Sequence, residues 1–168
     1  MSISPTLQKW LEIRGISGSN DPEFVRLVPW LRTAFLLCST LMGVGTGLAF
    51  TPLLWAAVPI AALGAVFPVH PFDLIYNYGI RRLTGTQPLP RNGPPTRFAC
   101  GMAAVWLVAT ALAFEMGVEW LGYLLGGVLT LVAAIVSVTY FCIPSTIYQL
   151  LFGDRDAVYR ALFSRQRA

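Results

Sequence analysis

Charge is what this chain has least of. Only 12% of its 168 residues are charged and 55% are apolar, against roughly a quarter charged in ordinary soluble domains. A water-soluble fold of this length cannot bury that much apolar surface, so a soluble globule is excluded and lipid is the expected covering. Histidine occurs once, at His70, and cysteine three times, at Cys38, Cys100 and Cys142. An odd number of widely spaced cysteines indicates no disulfide framework. No His, Cys, Asp or Glu cluster offers a metal its ligands. The first 27 residues carry charges and lack the apolar core of a signal peptide, so the N-terminus is expected to stay untranslocated.

The uncharged residues gather in four stretches, expected spans at 30–50, 52–69, 97–114 and 120–142. A span needs about 20 residues to cross a hydrocarbon core of about 30 Å. The expected fold is therefore an all-α integral membrane protein: four helices in two hairpins, with short interfacial amphipathic helices on the cytoplasmic side. Residues 1–27 are expected to be an interfacial N-terminal segment, 28–153 the bundle with a cytoplasmic loop at 70–96, and 154–168 a cytoplasmic tail. Lys and Arg are missing from two connections, around Thr51 and between Glu115 and Glu119. All of them lie before the first span, between the second and third, or after the fourth. Such flanks are retained in the cytoplasm, which puts both termini and the central loop there. The net charge of +4 is split over these three segments, so anionic headgroups are the expected partner and nucleic acid is not.

Leu7, Trp10, Leu11 and Arg14 recur at helical spacing, the pattern of a helix in the headgroup region. Phe72, Ile75, Tyr76, Ile80 and Leu83 repeat it, with Arg81 and Arg82 reaching for phosphates and Arg97 placed to snorkel toward headgroups. Prolines crowd 87–95 and predict an irregular loop. Pro144 opens a short helix, and Asp154 is placed to cap a last amphipathic turn or two carrying Val158, Leu162 and Phe163 on one side. The halves look duplicated: Pro71 precedes Ile75-Tyr76 as Pro144 precedes Ile147-Tyr148.

Small residues recur every four positions at Ser39, Gly43 and Gly47, at Ala57, Ala61 and Ala65, and at Gly122 and Gly126. These stripes are expected to be the helix-packing faces. On that reading Gly43→Leu is more damaging than Gly45→Leu, since Gly45 lies off the stripe. Beyond the first-turn Arg32 and Arg97 at their ends, the spans contain no charged side chain, which argues against a transporter. His70 ends the second span and is expected to bond a headgroup or carbonyl, with ligation of haem iron or chlorophyll magnesium the weaker candidate role.

The segment Phe141-Cys142-Ile143-Pro144-Ser145-Thr146-Ile147-Tyr148, with Arg97-Phe98-Ala99, the proline-rich loop and the paired hairpins, resembles a family of uncharacterised four-span bacterial membrane proteins. That family is known as a domain of unknown function, often encoded beside thioredoxin-like proteins. The resemblance implies the bacterial inner membrane. It also implies a C-x-x-C pair at the end of the last span, where Cys142 matches the first cysteine and Ser145 replaces the second. Without a resolving thiol, the expected function is a non-catalytic accessory subunit packed against a larger photosynthetic or respiratory complex. No intrinsic cofactor is then expected, and any contact with pigment, quinone or lipid is peripheral. The alternative is a membrane thiol-redox component acting through Cys142 with a thioredoxin-like partner.

Overall fold

The computed structural model describes residues 5–16, 22–153, 155 and 158. The expected Asp154 cap and the turn at Leu162 and Phe163 lie outside the described residues. Nine α-helices follow in order among these residues: α1 (Pro5–Ile13), α2 (Pro22–Leu27), α3 (Thr33–Gly47), α4 (Thr51–Val66), α5 (Pro71–Ile75), α6 (Arg81–Thr84), α7 (Pro94–Glu115), α8 (Glu119–Thr139) and α9 (Ile143–Phe152). A 3-10 turn (Trp30–Arg32) leads into α3, and a π turn (Tyr76–Ile80) joins α5 to α6.

Three stretches are long and apolar enough to cross a membrane: Phe24–Gly47, Pro94–Glu115 and Glu119–Thr139. The first starts earlier than the sequence suggests, because α2 and the 3-10 turn lead directly into α3. The fourth differs more. At 16 residues α4 is about 24 Å long, and with Pro71–Thr84 it forms a pair bent by 84°. It stops at Val66, short of the expected Val69, because Pro68 and Pro71 bring no N–H to continue the ladder. Phe67 makes the last bond, to Leu63 O at 2.8 Å, and turns extended at ψ 148°.

The four long helices close a ring in which α3 and α7 each pack against both α4 and α8. Exchanging the α3–α4 and α7–α8 hairpins leaves this pattern unchanged, as a duplication requires. Both hairpins also turn alike. Ala49 (φ 49°) and Gly117 (φ 73°) adopt the left-handed conformation, while Phe50 N–H bonds Gly45 O at 2.8 Å and Val118 N–H bonds Ala113 O at 2.9 Å. These are Schellman closures, which satisfy carbonyls at the helix end.

The small-residue faces are only partly those of the sequence pattern. A Cβ on Gly122 would meet the Phe114 ring at 2.7 Å, and one on Gly126 would land on the Thr46 side chain. Ser39 Oγ donates to Thr130 O of α8 at 3.3 Å, and a Cβ on Gly43 would lie 3.2 Å from Thr130 Cγ2. Ala57 and Ala61 are buried in the ring's core with Leu54, Leu107 and Ala111, and Ala65 is half-buried beside Gly101. Gly47, however, is exposed with open space around it, and Gly45 is buried with a Cβ position 2.8 Å from Leu54 Cδ2. The ranking of Gly43 over Gly45 therefore does not hold: α3 has two neighbours, and Gly45 faces the second, α4.

At one end of the ring, Leu11, Ile16, Phe24, Leu27, Leu31, Tyr76, Leu89 and Tyr140 form a separate core. Here α1 is docked into the protein, with Leu11 and Arg14 buried, instead of presenting its stripe outward. Thr96 Oγ1 donates to Arg14 O at 2.9 Å and Gln149 Nε2 to Ile13 O at 3.2 Å. Gly15 (φ 76°) passes so close to Gly93 that a Cβ would lie 3.1 Å from its Cα, and only glycine accepts both conditions without strain.

Candidate functional site: a thiol-lined cavity with a polar cap

The only histidine and all three cysteines meet. Cys38 of α3, His70 from the break before α5, Cys100 of α7 and Cys142 from the break before α9 all line one cavity of about 300 Å³. Two of them are delivered by helix geometry. His70 and Cys142 are the N-cap residues of α5 and α9, extended at ψ 143° and 108°, each followed by a proline in the helix's first turn. Proline suits that turn because its missing N–H is not needed there.

The hydrogen bonds of His70 fix its tautomer. Nδ1 accepts from Phe72 N–H at 3.3 Å, so a neutral ring carries its proton on Nε2. Nε2 lies 3.8 Å from Cys38 Sγ. Burial pushes the His70 pKa down to about 4, so the imidazole is neutral at pH 7. Asp73 Oδ2 accepts from His70 N–H at 3.2 Å and from Asn92 Nδ2 at 3.2 Å. Gly64 permits this placement: a Cβ there would lie 2.6 Å from His70 Cδ2 and 3.3 Å from Cys100 Sγ. Sequence reasoning passed over Gly64, the one glycine within α4, because it belongs to no four-residue stripe.

Beyond His70 the chemistry changes. Arg14, His70, Asp73, Asn92 and Thr96 bound a second, small cavity of about 10 Å³, and Ala34, Phe35 and His70 are common to both. Arg14 is 2% exposed, and its guanidinium carbon lies 4.6 Å from the Phe35 ring centroid. Its Nε and Nη1 have no hydrogen-bond partner among the described residues. Burial lowers the Arg14 pKa from its usual value. Burial likewise raises that of Asp73, opposed by its bonds from His70 and Asn92 and by Arg14. At the other extreme, Met102, Val128, Ile143 and Ile147 line the large cavity yet are 37–42% exposed. The chamber thus reaches the bundle's outer surface between α7, α8 and α9.

Other residues singled out by sequence lie elsewhere. Arg97 Nε and Nη2 donate to Ala65 O at 2.9 Å and Val66 O at 2.6 Å, capping the C-terminus of α4. Arg81 Nε donates to Thr86 O at 3.1 Å, and exposed Arg81 and Arg82 rim an open hollow with Asn77 and Tyr78. Ser145 is buried and donates to Pro95 O at 3.1 Å, so the position of the missing second cysteine ties α9 to the start of α7. No group of three His, Cys, Asp or Glu side chains among the described residues is arranged to hold a metal ion.

Residues 21–152 match the family described as Domain of unknown function (DUF4395). No curated protein and no solved structure matches the chain.

Proposed function

The chain belongs to the DUF4395 family, and we propose that this member is a membrane thiol-redox component. The observation that carries the reading is the convergence of all three cysteines and the only histidine on one chamber. A pair drawn from the three supplies the resolving thiol that the Ser145 substitution removed from the C-x-x-C pattern. Cys142 stands at the N-cap of α9, at the break between α8 and α9. A thioredoxin-like protein, implied by the resemblance, is the proposed partner that resets the pair.

The test is oxidation of the purified protein in detergent with diamide. One dithiothreitol-reducible intramolecular disulfide is expected, with the third cysteine still open to maleimide, and single Cys→Ser variants identify the pair by mass spectrometry. Three thiols that stay reduced under diamide would leave the accessory-subunit reading in its place. That reading has one observation of its own: Trp120, Leu124, Leu131 and Val138 form an exposed apolar stripe along α8, suited to packing against a subunit of a larger energy-transducing assembly.

In the proposed membrane setting α3, α7 and α8 each cross the bilayer and α4 completes the fourth span. Both termini and the 70–96 connection lie in the cytoplasm of a bacterial cell, by the distribution of Lys and Arg. Reporter fusions after Phe50 and between Glu115 and Glu119 should read as outside, and fusions after Gly85 and at the C-terminus as inside. Opposite readings at two of these sites would refute the orientation.

A further inference from the structure

From Pro71 to Thr84 the exposed residues come in pairs four positions apart: Leu74 with Ile75, Tyr78 with Gly79, and Arg82 with Leu83. Between the pairs Asp73 and Tyr76 are buried, and Ile80 packs on the core that seats α1. In a regular α-helix, positions four apart drift steadily round the axis. The π turn Tyr76–Ile80 takes more residues per turn and so keeps the pairs in line. Tyr76, expected on the outward face, is turned into the protein, where its hydroxyl meets Thr86 Oγ1. The outward face is an apolar edge of Leu74, Ile75, Tyr78 and Leu83, the last 89% exposed. Two cations stand at its end, on a hollow of about 410 Å³ bounded by Asn77, Tyr78, Arg81, Arg82, Gly85 and Thr86. Gly85 ends α6 at φ 63° and brings Thr86 back so that its carbonyl accepts from Arg81 Nε at 3.1 Å. Asn77 Oδ1 accepts from Leu89 N–H at 2.9 Å, which leaves the amide nitrogen as its available end. No acidic side chain among the described residues lines the hollow. Two guanidinium groups and an amide donor without a carboxylate suit a phosphate.

We propose that this hollow holds the phosphate of an anionic membrane phospholipid, with the apolar edge beside it lying against the lipid's acyl chains. The site rests on the membrane setting above and is independent of the thiol-redox reading. The chain bends by 84° between α4 and Pro71–Thr84. With α4 crossing the bilayer, the segment therefore runs nearly parallel to the membrane surface. Leu74, Ile75, Tyr78 and Leu83 then enter the acyl boundary, as the apolar faces of interfacial helices do. The aliphatic stems of Arg81 and Arg82 reach from that boundary to the level of the phosphates. The lipid is an anionic one because a zwitterionic head would bring its own cation toward two arginines.

The experiment uses the full chain in detergent micelles doped with dioleoylphosphatidylglycerol or dioleoylphosphatidylcholine, and native mass spectrometry counts the retained lipid. Phosphatidylglycerol should be held in preference. The double variant Arg81→Gln, Arg82→Gln should bind it about thirtyfold more weakly, the effect of two cations of ordinary juxtamembrane strength. Arg82 has no hydrogen bond among the described residues, so Arg82→Gln alone leaves the fold intact and should weaken binding about fivefold. Arg91 is exposed on the same connection, outside the hollow, and Arg91→Gln should bind as the wild type does. Equal retention of the two lipids would overturn the site. So would wild-type binding of phosphatidylglycerol in Arg82→Gln. A loss in Arg91→Gln as large as in Arg82→Gln would replace the site with diffuse attraction to the protein's positive charge. Displacement of the lipid by millimolar inorganic phosphate would assign the hollow to a free anion and overturn the lipid.

Discussion

Gly126→Leu should prevent assembly of the bundle, while Gly127→Leu, one residue along, should leave it intact. The Cβ position of Gly126 coincides with the side chain of Thr46, whereas Gly127 has open space around it. Thr46 cannot step aside cheaply, being 6% exposed within α3 at the interface that joins the two hairpins. Forcing even one methylene into a packed contact costs about 1–3 kcal/mol, and leucine brings a whole side chain where two backbones approach. Association of helices in lipid depends on such close approach, so the loss should appear as aggregation during size exclusion in detergent. Comparable monodisperse yields from the two variants would show that α3 and α8 do not meet at Gly126. The same logic makes Gly45→Leu more harmful than Gly47→Leu.

The second large effect should come from Tyr140→Ala. Tyr140 ends α8 in the left-handed conformation at φ 61°. Its hydroxyl donates to Val28 O at 2.9 Å, and the Arg32 guanidinium carbon stands 5.2 Å from its ring centroid. It is 5% exposed in the core that seats α1 and α2. Truncating a buried aromatic costs about 3–5 kcal/mol, and alanine gains nothing from a left-handed backbone. Tyr140→Phe keeps the ring and should lose only about 1 kcal/mol, the net value of one hydrogen bond. Thermal unfolding in detergent should rank wild type, Tyr140→Phe and Tyr140→Ala in that order. A melting temperature for the alanine variant equal to that of wild type would mean this core does not hold the end of the bundle together.

The helices were legible because hydropathy and proline act locally. The starts of α5 and α9 follow from Pro71 and Pro144, and the irregular loop before α7 follows from its prolines. The early end of α4 was legible in the same way through Pro68, but the apolar run continues past it and hides the break. Gly45 and Gly47 were misjudged for a different reason. Which face of α3 meets α4 and which meets α8 depends on the order of helices around the ring, and no periodicity within α3 contains that order. The cavity was harder still, since its thiols and imidazole come from distant segments and become neighbours only when the ring closes. One hint was present: His70 and Cys142 are separated along the chain by the same interval as Tyr76 and Tyr148, so the duplicated Ile-Tyr pairs already marked them as equivalent positions. The polar cap had no comparable signal, because Arg14 reads as one more flanking cation until α1 is seen docked.

That docking has a consequence for His70. Arg14, the residue after α1, bounds the small cavity on one side of the imidazole, and Thr96 of α7 and Gln149 of α9 hold the end of α1 through the carbonyls of Arg14 and Ile13. The thiols lie on the other side of the same ring. A change in α1 that touches no cysteine therefore reaches the thiol-lined cavity first through the histidine that faces both.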